Sequence, residues 1–76
     1  MAEKLTFNYD RDADILYIDK VSPYAEQESE ELEDGIIVRL NPATNEVENF
    51  EVLFFSTRLL RKNLFDLPVV ANLSLA

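Results

Sequence analysis

Residues 4–19 read KLTFNYDRDADILYID, and two different strand patterns follow one another in this stretch. Residues 4–9 alternate strictly between polar and apolar side chains, which predicts a strand with one face in water. Residues 14–19 are apolar on both phases of the alternation, which is typical of a strand covered on both faces. Residues 10–13 favour a turn, because aspartate side chains cap their own backbone. The stretch therefore predicts a β-hairpin whose second strand lies inside a sheet.

Two more strands are predicted downstream. Asp34-Gly35 is a turn signal and contains the one glycine of the chain. Residues 41–45 (NPATN) predict a second hairpin turn, since proline fixes φ and asparagine tolerates left-handed geometry. The third strand is predicted over residues 36–40 and the fourth over 46–54. In the third strand, alternation directs three side chains toward the core: Ile36, Val38 and Leu40.

The predicted fourth strand contains an irregularity. Phe50, Val52 and Phe54 alternate toward the core, but Val47 is out of phase with them by one residue. A β-bulge near Glu48-Asn49 would insert one residue and return Val47 to the core face.

A short helix is predicted over about 56–63. Ser56 is a plausible N-cap, and Phe55 and Leu60 have the spacing of a hydrophobic staple. Pro68 prevents a continuous helix from here to the end of the chain. The tail, residues 64–76, is apolar and carries no charge after Asp66. We expect it to mediate self-association through four apolar side chains: Val69, Val70, Leu73 and Leu75.

Residues 20–34 show no strand alternation and are interpreted as an irregular, acidic connection with Leu32 as its apolar anchor. The predicted fold is therefore α+β, with a four-stranded antiparallel meander sheet over residues 4–54, one short C-terminal helix and an apolar tail. The chain has 76 residues, so we expect a single small domain over 1–76.

The composition excludes several kinds of chemistry. The chain contains no cysteine, histidine or tryptophan. A thiolate nucleophile, a disulfide, a Cys/His zinc site and an imidazole base are therefore all excluded. The N-terminus lacks the apolar segment of a signal peptide, and no apolar run has the length of a membrane span. We therefore expect a cytoplasmic protein that does not contact a membrane.

The net charge of −8 lies entirely in the first half of the chain. Residues 1–34 contain eleven acidic and three basic side chains, whereas residues 35–76 contain four of each. This distribution argues against general binding of a phosphate backbone. Nucleic-acid binding stays an alternative only at one small basic cluster, which consists of Arg58, Arg61 and Lys62.

A sequence string in the predicted first hairpin resembles a known family. The string Tyr9-Asp10-x-x-Ala13-Asp14-x-Leu16-Tyr17-Ile18 resembles the domain of unknown function family 2283, a family of small bacterial proteins. The similarity continues through residues 30–38, Phe50 to Leu53 and the Ser56-x-Arg58-Leu59 segment, and covers about residues 5–60. The resemblance implies a compact meander sheet followed by a short helix, and no established activity. It also implies stand-alone small proteins, some of them partnered with small toxin-like proteins.

This chain departs from the family pattern in two places. Asn49 stands where the family often has glycine, and asparagine can also supply a left-handed bulge residue. The tail after residue 64 is also longer than is usual for such domains, so the oligomeric state is not carried over from the family.

The spacing of Asp10, Asp12 and Asp14 resembles the start of a calcium loop. Such a loop needs glycine at its sixth position and glutamate at its twelfth, where this chain has Ile15 and Val21. We therefore interpret the three aspartates as a hairpin turn that caps backbone amides, with weak binding of a divalent ion as the alternative. No cofactor is predicted.

The acidic run between Glu26 and Asp34 is the candidate partner-binding segment. It is either a solvated loop or a patch that attracts a basic protein. The glutamates proposed to bind such a partner are Glu28, Glu30, Glu31 and Glu33.

These observations favour a non-catalytic protein–protein interaction module, which forms a homo-oligomer, binds a small basic, toxin-like protein, or does both. The first alternative is a small carboxylate- or metal-dependent enzyme or accessory protein that uses the aspartate turn. The weaker alternative is nucleic-acid binding through the basic cluster.

Overall fold

Five strands, one more than the sequence predicts, form a single sheet within the residues that the structure describes. In the computed structural model these residues are 4–61, Leu67, Val69 and Ser74. The elements are β1 (Thr6–Asp10), β2 (Ile15–Asp19), β3 (Glu28–Glu33), β4 (Ile36–Leu40), β5 (Val47–Leu53) and the helix α1 (Phe55–Arg61). The strand order is β1-β2-β5-β4-β3, and every neighbouring pair is antiparallel. The α+β class and the short C-terminal helix are confirmed.

The predicted four-stranded meander is wrong, because the acidic connection contains strand β3. All six residues of β3 are exposed. An edge strand that faces water on both sides needs no apolar alternation, so the pattern of residues 20–34 did not indicate a strand. Leu32 is not a buried anchor: it is exposed and lies between Glu31 and Glu33, where the pairing with β4 shifts register.

The connection from β2 to β3 crosses one end of the sheet. Strand β5 pairs with β2, and β4 separates β5 from β3. Residues 20–27 must therefore pass the ends of β5 and β4 before the chain enters the far edge of the sheet. This crossing segment brings Tyr24 and Gln27 close to the start of β5, where the backbone N–H of Lys20 donates to the carbonyl of Glu48 at 2.9 Å.

The core lies on one face of the sheet, which we call the core face. Cross-strand register aligns Leu16, Val52 and Ile36 in one row and Ile18, Phe50 and Val38 in the next. Val38 and Val52 have no exposed surface. Phe55, at the start of α1, and Leu67 pack against the cluster of Leu16, Ile18 and Val52. The central position of β2 and the inward direction of Ile36, Val38 and Leu40 are confirmed.

The predicted bulge in β5 is also confirmed. Arg39 pairs with Asn49, but the next residue, Leu40, pairs with Val47, so that Glu48 is the inserted residue. The inward direction predicted for Phe54 is wrong. Phe54 lies beyond the last strand residue, adopts a φ of 54° and is 66% exposed. Its left-handed conformation turns the chain from β5 into α1 and rotates the ring away from the core.

The helix prediction is correct in place and wrong in its details. The helix begins at Phe55, so Ser56 lies inside it and is not its N-cap residue. Leu60 is 88% exposed, and the staple with Phe55 is therefore absent. Arg61 is the last residue of α1, and residues 62–63 of the predicted helix lie outside the described residues.

Of the predicted tail, residues 64–76, the structure describes Leu67, Val69 and Ser74. Of the four residues expected to mediate self-association, Val69 is half-buried, and its backbone N–H donates to the carbonyl of Leu67 at 2.8 Å. The other three, Val70, Leu73 and Leu75, lie outside the described residues. Among the residues that are described, no helix has both the length and the apolar character needed to cross a membrane.

Candidate functional site

The acidic edge of the sheet is strand β3. It is last in the strand order, so within the described residues one of its backbone edges pairs with β4 and the other edge is unpaired. Most of the acidic run, which the sequence predicts to be irregular, forms this strand, and its carboxylates therefore lie in an extended row. The row consists of the glutamates predicted to bind a partner: Glu28, Glu30, Glu31 and Glu33.

The register with β4 divides these glutamates between the two faces of the sheet. Glu30 pairs with Val38 and therefore projects from the core face, as do Glu28 and, after the register shift, Glu33. Glu31 pairs with Ile37 and projects from the opposite face. A chain lying along this edge would meet negative charge on both of its faces.

The glutamates of β3 are not neutralised by cations in the part of the chain that the structure describes. One ion pair there joins Lys20 to Glu46 at 4.0 Å, and another joins Arg39 to Glu51 at 3.6 Å. Neither involves β3. Glutamate side chains that are exposed and unpaired repel one another and attract basic ligands.

The three aspartates of the β1–β2 turn do not converge on one point. Oδ1 of Asp10 accepts hydrogen bonds from the backbone N–H groups of Asp12 and Ala13, at 3.0 and 3.2 Å. This is the capping turn that the sequence predicts. Asp14 instead faces the helix. Within the described residues, no group of three or more acidic side chains is arranged to hold a metal ion.

Asp14 links the first hairpin to the start of α1. Its Oδ1 accepts the hydroxyl hydrogen of Tyr9 at 2.6 Å and the backbone N–H of Ser56 at 3.0 Å, and its Oδ2 accepts the hydroxyl of Ser56 at 2.8 Å. The hydrogen bond from Tyr9 and that from the Ser56 amide lower the pKa of Asp14. The same bond to Asp14 raises the pKa of Tyr9. The Tyr9 ring packs against Phe55 with centroids 5.7 Å apart. These groups stabilise the fold.

Arg58 joins the β3–β4 turn to the end of β5. Its Nε donates to the carbonyl of Leu53 at 3.1 Å, and its Nη2 donates to the carbonyl of Asp34. A Cβ atom on Gly35 would lie 2.6 Å from Nη2, so glycine leaves the space that the guanidinium fills. Of the predicted basic cluster, Arg58 is thus bonded to backbone, Arg61 is exposed, and Lys62 lies outside the described residues.

The opposite end of the sheet holds a polar network that sequence reasoning missed. Asn49 is 1% exposed. Its Oδ1 accepts from Nε2 of Gln27 at 2.6 Å, and its Nδ2 donates to Oδ1 of Asp19 at 2.8 Å and to the carbonyl of Val21 at 2.6 Å. Asn49 is not among the residues with positive φ, so its predicted role as a left-handed bulge residue is wrong. It holds the crossing segment to the sheet.

Glu48, the bulge residue, completes this network. It accepts hydrogen bonds from the hydroxyl of Tyr24 at 2.6 Å, Nε2 of Gln27 at 3.1 Å and Nδ2 of Asn41 at 3.4 Å. The bonds from Tyr24 and Gln27 lower the pKa of Glu48. The bond to Glu48 raises the pKa of Tyr24 to about 12. The signal in the sequence was the pair of polar residues inside an apolar strand, which indicated the bulge but not its partners.

An open pocket of about 240 Å³ lies beside the crossing segment, and it is lined by Thr6, Asp19, Lys20, Val21, Ser22 and Pro23. Its one carboxylate, Asp19, already accepts a hydrogen bond from Asn49. A pair of converging carboxylates, which acid–base catalysis would use, does not line this pocket.

No curated protein and no solved structure matches this chain. The model of one protein family matches residues 6–56, which span the sheet and the first two residues of the helix. That span contains Asp14, Gly35 and Ser56, which belong to the contacts that join the strands to α1. The chain therefore belongs to the family described as protein of unknown function (DUF2283).

Proposed function

We propose that this protein is a non-catalytic interaction module whose acidic edge strand β3 binds a basic, extended segment of a partner protein. One observation carries the proposal: a strand at the edge of the sheet is exposed at all six positions and holds four glutamates that form no ion pair with any described residue. An open strand edge offers backbone hydrogen bonds to an added strand, and the side chains next to it select the partner.

Charge complementarity defines the partner. Glu28, Glu30 and Glu33 share the core face, whereas Glu31 projects from the other. A segment with lysine or arginine at alternate positions would place its cations beside the three glutamates of one face. A small basic protein, such as the toxin-like partners implied by the family resemblance, has this chemistry.

Two other functions stay predictions with less support from the geometry. A metal-dependent role of the aspartate turn would require Asp14 to give up hydrogen bonds to Tyr9 and Ser56, and Oδ1 of Asp10 already accepts backbone amides. Binding of nucleic acid through the basic cluster would require Arg58 to leave the carbonyls of Leu53 and Asp34.

The test measures binding of a labelled peptide with alternating lysine and threonine by fluorescence anisotropy. The variant Glu30→Gln/Glu31→Gln removes two charges from β3. The matched control, Asp12→Asn/Glu46→Gln, removes two exposed charges elsewhere. We expect the β3 variant to weaken binding by about tenfold or more and the control by less than about threefold, because the loss of attraction is local.

A second peptide, methylated at the backbone nitrogens along one edge, separates strand addition from simple charge attraction. Methylation removes the donors that an added strand needs and keeps the charge. The proposal is wrong if both double variants weaken binding equally, or if the methylated peptide binds as tightly as the unmodified one.

A further inference from the structure

We infer that the other edge strand, β1, pairs with β1 of a second copy of this chain, antiparallel and about a two-fold axis at Phe7. This interface is independent of the proposed partner site, because β1 and β3 lie at opposite edges of the sheet. The result is a continuous sheet across two copies, with the core faces of both on the same side.

The first support is an apolar row that the single chain leaves in water. Leu5, Phe7 and Tyr9 are 47%, 63% and 40% exposed. Phe7 pairs with Ile18 and Tyr9 with Leu16, so this row extends the core face to the edge of the sheet. An exposed, apolar edge strand is a site where another strand adds.

The second support is that the row is self-complementary in one register. A two-fold axis at Phe7 places this residue opposite Phe7 of the second copy, and Leu5 opposite Tyr9. Apolar and aromatic pairs directly opposite one another stabilise antiparallel strands. Moving the axis to Asn8 would instead set Leu5 against Arg11.

The third support is charge complementarity in the same register. If the pairing continues through the two residues that precede β1, Lys4 of one copy lies opposite Asp10 of the other, twice per dimer. Lys4 is exposed, and it is in neither of the ion pairs within the described residues. Only Oδ1 of Asp10 accepts the turn amides, which leaves Oδ2 for the lysine. Opposite charges at a symmetric interface fix its register.

The charge of β3 disfavours the addition of further copies at that edge. A two-fold pairing of β3 with itself would bring the glutamates of both copies together, and like charges across strands are destabilising. The edge at β1 therefore favours pairing with a second copy, whereas the edge at β3 disfavours it. A closed dimer, and not a fibre, follows from this asymmetry.

The experiment is sedimentation equilibrium of the full chain at tens of micromolar, with the variant Phe7→Glu and the matched control Leu60→Glu. Both variants replace an exposed apolar residue with glutamate. Phe7→Glu places two carboxylates face to face on the axis, so we expect the dimer dissociation constant to rise by about tenfold or more, whereas Leu60→Glu leaves it within about threefold of wild type.

Amide hydrogen exchange of the unmodified protein gives a second measurement, so that the inference stays testable if Phe7→Glu fails to fold. We expect protection of β1 amides to rise with protein concentration. A monomeric wild-type chain, a dimer that Phe7→Glu leaves intact, or β1 exchange independent of concentration would each overturn the inference. Peptide binding at β3 should be the same in wild type and Phe7→Glu, which separates this result from the proposed function.

Discussion

Asp14 and Ser56 are 42 residues apart in the chain and make two hydrogen bonds, through the backbone N–H at 3.0 Å and the side-chain hydroxyl at 2.8 Å. The backbone carbonyl of Asp14 also accepts the N–H of Phe55 at 3.1 Å. One turn residue of the first hairpin therefore satisfies amides that the first turn of a helix leaves without an intrahelical partner. These hydrogen bonds to Asp14 fix the position at which the helix begins.

This relationship predicts that Asp14 stabilises the helix and its packing on the sheet. We expect Asp14→Ala to lower the urea midpoint of unfolding and to reduce helical circular dichroism, because the amides of the first turn lose a charged acceptor. Asp12→Ala is the matched control, since Asp12 is an exposed residue of the same turn. Equal midpoints for the two variants would contradict the capping role.

The carboxylates of Asp14 and Glu48 predict a loss of stability in acid. Their pKa values are lowered in the folded state by hydrogen bonds from Tyr9 and the Ser56 amide, and from Tyr24 and Gln27. A lowered pKa means that the unfolded chain binds protons first, so the contribution is present above the unfolded value near 4 and is lost as pH falls through the folded one. Urea midpoints measured from pH 6 to pH 2 should fall, and Glu48→Gln should flatten the fall.

Tyr24 predicts a further loss of stability, at alkaline pH. Its pKa rises from 10.0 to about 12 because its hydroxyl donates to Glu48. The folded state therefore keeps a proton that the unfolded state releases, so the contribution is complete below pH 10 and is lost as pH rises toward 12. The pKa of Tyr9 is raised as well, so tyrosinate absorbance should show a late component that Tyr24→Phe reduces and does not abolish. A wild-type titration complete well below pH 12 would contradict the bond to Glu48.

The buried side-chain amide of Asn49 predicts a large loss of stability when it is removed. Its side chain joins Gln27, Asp19 and the carbonyl of Val21 in a buried position. We expect Asn49→Ala to cost about 1–3 kcal/mol, because Asp19 and the carbonyl of Val21 would lose a donor and Nε2 of Gln27 would keep only its bond to Glu48. Asn8→Ala, at an exposed position of β1, is the control and should change the free energy of unfolding by less than about 0.5 kcal/mol. Equal costs would show that the network is not what holds the crossing segment.

Local patterns in the sequence predicted the elements that bury one face. The hairpin over residues 4–19, the strand 36–40 and the bulge at Glu48 follow from alternation, turn residues and a break in phase, all of which are local. Strand β3 could not be predicted this way, because a strand exposed on both faces carries no apolar period. The fifth strand and the order of the sheet were missed for that reason.

The hydrogen bonds around the candidate site could not be predicted from the sequence for a different reason. Asp14 and Ser56, or Asn49 and Gln27, meet only after the sheet has formed, and no spacing along the chain indicates such pairs. The acidic residues of the proposed partner site are indicated by their clustering along the sequence. That they form one straight edge, divided between two faces, depends on the pairing of β3 with β4.

The pair Gly35 and Arg58 predicts a loss of stability when a side chain is added in the β3–β4 turn. Gly35 has a φ of +80°, which disfavours any side chain, and a Cβ there would lie 2.6 Å from Nη2 of Arg58. We expect Gly35→Ala to cost about 1–3 kcal/mol, from backbone strain together with displacement of the guanidinium from the carbonyl of Asp34. In an Arg58→Ala background only the strain remains, so the same substitution should cost less. A double-mutant cycle from urea unfolding measures this difference. If Gly35→Ala costs the same in both backgrounds, Arg58 does not fill the space that the glycine leaves, and the turn requires glycine for its backbone conformation alone.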